Sequence, residues 1–414
     1  MRFSIKTAEI TAGLKIDVPA SKSISNRLLI LNALSYSLYP VKNLSNSDDT
    51  RILMSVLNSN SSYFDVGAAG TSMRFLTAYL SKIVGEWTVT GSERMKQRPV
   101  RILVDALNQL GGRVEYIENE GFPPLRIFGS ALTGGKIELC GDVSSQYISA
   151  LLMIAPYMKD GLHLHLKGEI TSAPYIRLTL ALMNDFGVTG IWKGNEIHVP
   201  SGEYKAIPAK VEGDWSAASY WYQTVAFSPD RTGIHLKGLE RNSHQGDAVV
   251  AKLFTQLGVQ SKFLQGSDLY LEKVGDEVKC FQHNFTDTPD LAQTFAVTCA
   301  FLNIPFHLTG LHTLKIKETD RINALITELK RFGFVTKSNG SDDILWDGEK
   351  TVAESAPVIN TYNDHRMAMA FAPAALKTAS LAINNPMVVT KSYPKFWDDL
   401  KKAGFVLSVD GGEC

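Results

Sequence analysis

Five times along this chain an amphipathic run stops the same way: Leu110-Gly111, Phe186-Gly187, Leu257-Gly258, Phe332-Gly333 and Ala403-Gly404. Four of these glycines are followed directly by a β-branched or aromatic residue that opens a strand (Gly111 is followed by Gly112), and each of the five is placed to cap its helix in the left-handed conformation. The separation is roughly 70–75 residues, the mark of a duplicated supersecondary unit. Hairpin-like pairs follow, such as Gly194-Asn195 between Ile191 and Val199, or Gly266-Ser267-Asp268 before Leu269 to Leu271. A weaker sixth copy runs from Asp48 to Leu57. Between these outer helices the pattern predicts six others, beginning near Ser23, Gly70, Ser144, Asp214, Asp290 and Asp364, that are apolar almost all round and therefore buried. The expectation is an α/β fold of six units, each with one interior and one outer helix, dividing into two domains of three. The crossovers fall near Val18-Pro19 and Val211-Glu212, giving residues 1–18 plus 212–414 as one domain and 19–211 as an insertion.

A chain of 414 residues exceeds one ordinary core, which agrees with two domains. Net charge is zero, so no global field recruits nucleic acid or an anionic membrane. The longest apolar run, around Tyr147 to Tyr157, contains Pro156 and is too short to span a bilayer. The N-terminus alternates (Phe3, Ile5, then Ile10, Leu14, Ile16, Val18) and reads as strands, not as a signal peptide. Cys140, Cys280, Cys299 and Cys414 form no CxxC pair, the pattern of reduced cytosolic thiols. His163 and His165 share a strand face but lack a third ligand, so no metal is expected.

Polar residues cluster where the helices start. Lys317-Glu318-Thr319-Asp320-Arg321 reads as the opening turn of a helix whose stripe is Ile322, Leu325, Ile326, Leu329 and Phe332. Lys317 and Arg321, four apart, would share a face and grip one anion, while Glu318 would point inward. Ser21-Lys22-Ser23-Ile24-Ser25-Asn26-Arg27 opens the helix Leu28 to Leu34, where free N–H groups favour an anion beside Ser23 and Arg27. Gly67 to Arg74 is a small-residue turn that lets backbone approach a ligand. Arg94-Met95-Lys96-Gln97-Arg98-Pro99 places three cations before a helix running from Val100 to Leu110. Ser144-Ser145-Gln146 and Ser172-Ala173-Pro174-Tyr175 offer hydroxyl and amide groups. Asn363-Asp364-His365-Arg366 sits at the mouth of a buried helix, costly unless paired or ligated, and Lys391 follows an expected strand from Met387 to Thr390. Each cluster has an ordinary alternative as a capped helix, a tight turn or a solvated cation. Their joint placement in a neutral chain points to a cleft between two domains that binds several anionic groups.

Together these segments resemble the 5-enolpyruvylshikimate-3-phosphate synthase family of enolpyruvyl transferases. SKSISNR, GTSMR, RMKQRP, SSQ, SAPYI, VEGD, KETDR and YNDHRMAM occur in order over essentially the whole chain, and KETDR with NDHRMAM is highly specific. The resemblance implies two domains of three βαβαββ repeats, an inside-out α/β barrel arrangement. It implies transfer of the enolpyruvyl group from phosphoenolpyruvate to the 5-hydroxyl of shikimate 3-phosphate in aromatic amino acid biosynthesis. Carried over by motif, Lys22, Ser23, Arg27, Ser144, Ser145, Gln146, Ser172, Tyr175, Asp290 and Lys317 would hold shikimate 3-phosphate. Lys22, Gly70, Arg98, Gln146, Arg321, Arg366 and Lys391 would hold phosphoenolpyruvate. It further implies a cytoplasmic monomer whose domains close over small-molecule substrates, with no cofactor, metal, nucleic acid or membrane partner. Ala68 stands where the family usually has Asn, Phe75 where Pro is common, and Thr313 where some members have Asn. These departures bear on donor binding and glyphosate sensitivity, not on the reaction class.

Such a transfer needs a base for the hydroxyl, an acid for C3 of the enol, and cations to offset phosphate and carboxylate. Asp290 is assigned as base and Glu318 to proton exchange at C3, with Lys22 as the alternative acid. Acid–base help supplies ~10²–10⁴-fold, whereas orienting two reactants supplies ~7–11 kcal/mol, so gathering two anions is the larger task. Two rivals follow. UDP-N-acetylglucosamine enolpyruvyl transferase shares donor and architecture, but typically carries a Cys on the loop where this chain has Arg94 to Arg98. A non-catalytic anion-binding module would gain nothing from Asp290 and Glu318 beside anions.

Overall fold

The computed structural model describes every residue except 8, 9, 12, 276, 341 and 410–414; the thiol of Cys414 therefore lies outside the described residues. Two separate hydrophobic cores divide the chain, one in Met1–Pro19 with Glu212–Cys414 and one in Ala20–Val211.

Twelve helices are described: α1 (Lys22–Leu34), α2 (Asp48–Leu57), α3 (Gly70–Lys82), α4 (Arg101–Gln109), α5 (Ser145–Ile154), α6 (Ala173–Asp185), α7 (Trp215–Phe227), α8 (Val250–Leu253), α9 (Ala292–Phe301), α10 (Arg321–Arg331), α11 (His365–Phe371) and α12 (Phe396–Lys402). Odd and even members differ in kind. Every residue of α9 and α11 is buried, as is all of α7 except Ser216, whereas α2 and α4 bury only the stripe facing the core. Within Ala20–Val211 the odd helices α1, α3 and α5 pack on one another, and in the other unit α9 packs against α7 and α11. The five repeated glycines all take positive φ, from 75° at Gly258 to 104° at Gly404. At Gly333 a Cβ would also meet the Thr351 carbonyl at 2.6 Å, so two constraints fix that residue type.

One weave recurs in the sheets. In Ala20–Val211, strand 63–65 runs parallel to 85–90 across α3; after α4 come 113–116 and 125–129, and the last strand inserts beside the second. Strands 135–140, 162–167, 191–193 and 196–199 repeat it around α5 and α6. In the other unit, strands 15–17, 233–237, 259–263 and 268–273 do the same. A fourth sheet joins 281–284, 306–309 and 344–346, its missing partner reduced to a bridge between Lys337 and Leu345. The fifth joins 358–359, 381–384, 2–7 and 405–409, so the N-terminal strand fills the inserted place beside the C-terminal one. The copy around α1 and α2 keeps only a bridge between Lys42 and Lys210; Pro40 and Pro208, two residues upstream of each, cannot donate to a ladder. The class is mixed α/β, in separate three- and four-stranded sheets with no closed barrel among the described residues.

Three local expectations are corrected. Helix α10 starts at Arg321, because Asp320 is its N-cap and accepts from Asn323 N at 3.2 Å; Lys317 and Glu318 lie before the helix and share no turn with Arg321. Helix α1 starts at Lys22, since Ser21 caps it by accepting from Ile24 N. The segment before Lys391 is a 3₁₀ run, Pro386–Lys391, not a strand: Pro386 at its first position and left-handed Asn385 (φ 49°) set a helical entry.

Candidate active site

In Ala20–Val211 the starts of the interior helices hold one group of side chains. Arg27 is 3% exposed and bonds only to neutral oxygens: Nε to Thr179 Oγ1 at 2.7 Å, Nη1 to the Ser23 carbonyl at 3.0 Å, and Nη2 to Ser149 Oγ at 3.0 Å and the Tyr175 carbonyl at 3.4 Å. Among the described residues no carboxylate pairs with it, and burial lowers its pKa to about 10. A desolvated guanidinium without a counter-anion is ready for one from outside. Its far face lies over Phe75, 5.4 Å from the ring centroid, so the residue that departs from the family pattern carries a cation–π contact. Lys22 Nζ stands 3.8 Å from Oδ2 of buried Asp49, whose carbonyl accepts from Ser72 Oγ at 3.0 Å.

Gly70 opens α3 where an added side chain would have to displace a guanidinium. A Cβ there would fall 2.6 and 2.9 Å from the two terminal nitrogens of Arg98. Arg98 is set by its neighbour Pro99, whose carbonyl accepts from Arg74 Nη2 at 3.3 Å and from Tyr147 OH at 2.5 Å. Arg98 Nε is buried with no partner. Gln146 Nε2 donates to Thr71 Oγ1 at 3.0 Å, and Ser144 caps α5 by accepting from Gln146 N, with Ser145 buried beside it. Ser172 adopts left-handed φ 54° at the start of α6, and its hydroxyl does not cap the helix. A non-glycine residue held there with an uncommitted side-chain role is typical of binding positions.

In the other unit, α9, α10 and α11 deliver a knot of three cations and three carboxylates. Arg321 is 1% exposed: Nε meets Asp364 Oδ2 at 2.6 Å, Nη1 meets Asp290 Oδ1 at 3.1 Å and Nη2 meets Glu318 Oε2 at 3.0 Å. Burial opposes its charge, but Asp364, Glu318 and Asp290 more than offset this and raise its pKa. Arg366 places Nη2 on Asp290 Oδ2 at 2.8 Å and Nη1 on the Asp290 carbonyl at 3.1 Å. Lys391 Nζ meets Glu318 Oε1 at 2.6 Å. Glu318 thus turns inward for ion pairs, not through an apolar helix stripe. Asp290 stands in the 3₁₀ turn Pro289–Leu291 that leads into α9. Lys317 follows the 3₁₀ run His312–Ile316 and sits in the bend before Asp320.

Several participants were not picked out as site residues from sequence. Asp364 does two jobs, capping α11 through Arg366 N at 2.9 Å while pairing with Arg321. Asp49, Arg74 and Tyr147 were likewise missed, because a helix-start aspartate reads as a cap and an aromatic in an apolar run reads as core. His163 stacks on His198 with centroids 4.0 Å apart, and among the described residues no three or more His, Cys, Asp or Glu are grouped so as to hold a metal. No described helix is long and apolar enough to cross a membrane.

Comparison with known proteins adds three findings. A family model described as EPSP synthase (3-phosphoshikimate 1-carboxyvinyltransferase) matches residues 55–400. A 3-phosphoshikimate 1-carboxyvinyltransferase of Bacteroides fragilis is 54% identical over 395 residues, covering 95% of this chain and 96% of its own length. One from Shewanella pealeana is 36% identical over 414 residues, covering 92% and 95%. An EPSP synthase structure from Acinetobacter baumannii matches 99% of this chain and all of its own with a TM-score of 0.79 at 20% identity, a likeness of fold.

Proposed function

The chain belongs to the EPSP synthase family, and from that membership we propose that it transfers the enolpyruvyl group of phosphoenolpyruvate to the 5-hydroxyl of shikimate 3-phosphate. Phosphate is released, and the reaction is a step of aromatic amino acid biosynthesis. The observation that carries the reading is Arg27: a guanidinium removed from water, held by four neutral oxygens and lacking a carboxylate, which a phosphate monoester satisfies. Lys22, Ser23, Ser144, Ser145, Gln146, Ser172, Tyr175, Asp290 and Lys317 complete the proposed acceptor set. Gly70, Arg98, Gln146, Arg321, Arg366, Lys391 and Lys22 serve the donor.

In the first step the 5-oxygen bonds to C2 of the donor, its proton passes to a base, and C3 takes a proton. In the second step C3 loses a proton, the C2–O bond to phosphate breaks, and the enol ether remains. Both oxygens of Asp290 are engaged by arginines, and a carboxylate so held is a weak base. A donor carrying phosphate and carboxylate competes for those guanidinium groups, freeing Asp290 to accept the hydroxyl proton. Glu318 lies between Arg321 and Lys391 and is the group for exchange at C3, with Lys22 as alternative acid. The finer architecture belongs to the same proposal: two domains of three βαβαββ repeats (1–18 plus 212–414, and 19–211) in the inside-out barrel arrangement, working as a cytoplasmic monomer. The deciding experiment is phosphate release from phosphoenolpyruvate with and without shikimate 3-phosphate. Release only with both is expected, and none with both ends the reading.

A further inference from the structure

One buried acid beside the charged knot has no part in the mechanism above. Asp247, 4% exposed, stands in the 3₁₀ turn Gly246–Val249. That turn is tied to the start of α7: Gln245 Nε2 donates to the Gly213 carbonyl at 2.8 Å, and Gln245 Oε1 accepts from Trp215 N at 3.2 Å. Ser216 Oγ donates to Asp247 Oδ2, while Asp247 Oδ1 is buried with no partner. One turn along α7, Tyr220 OH stands 3.5 Å from Nη1 of Arg366, whose other nitrogen holds Asp290. The charges that face Asp247 come from three elements: Asp290 before α9, Arg366 on α11 and Asp214 at the cap of α7.

These neighbours do not balance a fourth carboxylate. Arg321, Arg366 and Lys391 already face Asp290, Glu318 and Asp364. Burial and then Asp290 push the Asp247 acid up to about 7, against the pull of Arg366 and Ser216, with Asp214 adding to the push. Two carboxyl groups whose surroundings drive them apart in this way divide the labour: one keeps its proton so that the other stays charged.

We propose that Asp247 is a positioning residue for enolpyruvyl transfer that acts through Arg366: as a neutral acid it leaves the arginine's charge to the anionic donor, and as a carboxylate it competes for that charge. The inference rests on the transfer reading given above.

The test measures KM for phosphoenolpyruvate at saturating shikimate 3-phosphate by phosphate release, using the full chain between about pH 6 and about pH 8.5. The donor's own phosphate titrates in the same range for every protein compared, so the ratio of variant to wild type is the readout. The wild-type KM rises roughly threefold to tenfold more across this range than that of Asp247→Asn, whose amide mimics the neutral acid at every pH. Ser216→Ala removes a hydrogen bond that favours the carboxylate, so its KM midpoint moves to higher pH; this variant decides the matter should Asp247→Asn fail to fold. The inference is overturned if Asp247→Asn tracks the wild-type KM at every pH, or if only kcat falls and the pH slope persists. An unmoved midpoint in Ser216→Ala overturns it equally. A wild-type chain that turns over normally while the variants show those results loses this inference alone; no turnover by the wild type removes the transfer reading as well.

Discussion

An added methyl at Gly70 would meet Arg98 at the far end of a flexible side chain, so the backbone need not move and the guanidinium must. Gly70→Ala is therefore expected to raise KM for phosphoenolpyruvate by roughly tenfold while the melting temperature shifts by no more than about 2 °C. Paired melting curves and steady-state kinetics check this, and an equal rise in both substrates' KM would defeat it. Arg27 makes the complementary case. Arg27→Ala removes a buried cation held only by neutral oxygens, and should weaken shikimate 3-phosphate by roughly 10- to 100-fold, far beyond its effect on phosphoenolpyruvate. Matching losses for the two substrates would count against the assignment. The cations were legible in sequence because Lys and Arg stand out at helix starts in a neutral chain. Of their carboxylate partners Asp290 and Glu318 were legible too, but Asp49 and Asp364 were not, and neither was the buried acid Asp247, because all three occupy helix-start positions where aspartate normally only caps.

Among the elements, α10 and the turn before α8 carry the electrostatic load. Arg321 opens α10 and is the common partner of three carboxylates, so Arg321→Met takes a cation from each, leaving Asp290 to Arg366 and Glu318 to Lys391, and should cost about 3–5 kcal/mol of unfolding free energy. Urea denaturation at neutral pH measures it; a loss below about 1 kcal/mol would show that the knot contributes little to stability. Asp247 predicts the opposite sign. Its folded-state pKa, about 7, lies above the ordinary aspartate value of 3.8, so between the two the folded form keeps a proton that the unfolded form has lost. The resulting penalty is absent below about pH 4, grows as pH rises toward 7 and then levels off. Asp247→Asn removes it, and should gain stability over the wild type at pH 8 by an order of a few kcal/mol more than at pH 4. An equal difference at both pH values would mean the acid is ordinary. The element boundaries that sequence revealed are those where one residue type is forced, as at the five left-handed glycines. Those it missed involve competition between near-equal signals. Asp320 out-competes Glu318 as the start of α10, and β-branched Val388, Val389 and Thr390 read as a strand although Pro386 and Asn385 wind them into a 3₁₀ run.

At the scale of the whole chain, the α/β class followed from the repetition itself, since a helix apolar all round must be covered by something, and strands recurring beside it supply the cover. The copy around α1 and α2 shows where repetition of sequence stops implying repetition of structure, for there prolines leave a single bridge in place of a sheet. The hydrophobic residues separate into two cores with no shared member, and the unit Ala20–Val211 is inserted into the other between Pro19 and Glu212. Unfolding the inserted unit converts it into a long loop, and loop-closure entropy grows only logarithmically with length, so its loss adds little strain to the unit that encloses it. Each unit, of about 200 residues, should absorb on the order of 140 kcal/mol near 60 °C. Calorimetry of the ligand-free chain is then expected to give a measured enthalpy about twice the van't Hoff value, because two units melt separately. Shikimate 3-phosphate, which the transfer reading places on Arg27, adds about 2.7 kcal/mol at a hundred times its Kd to the unit that carries that arginine. It should therefore raise the melting temperature of Ala20–Val211, and Arg27→Ala should prevent this. A ratio of one without any ligand would show that the two cores unfold together and would overturn the prediction.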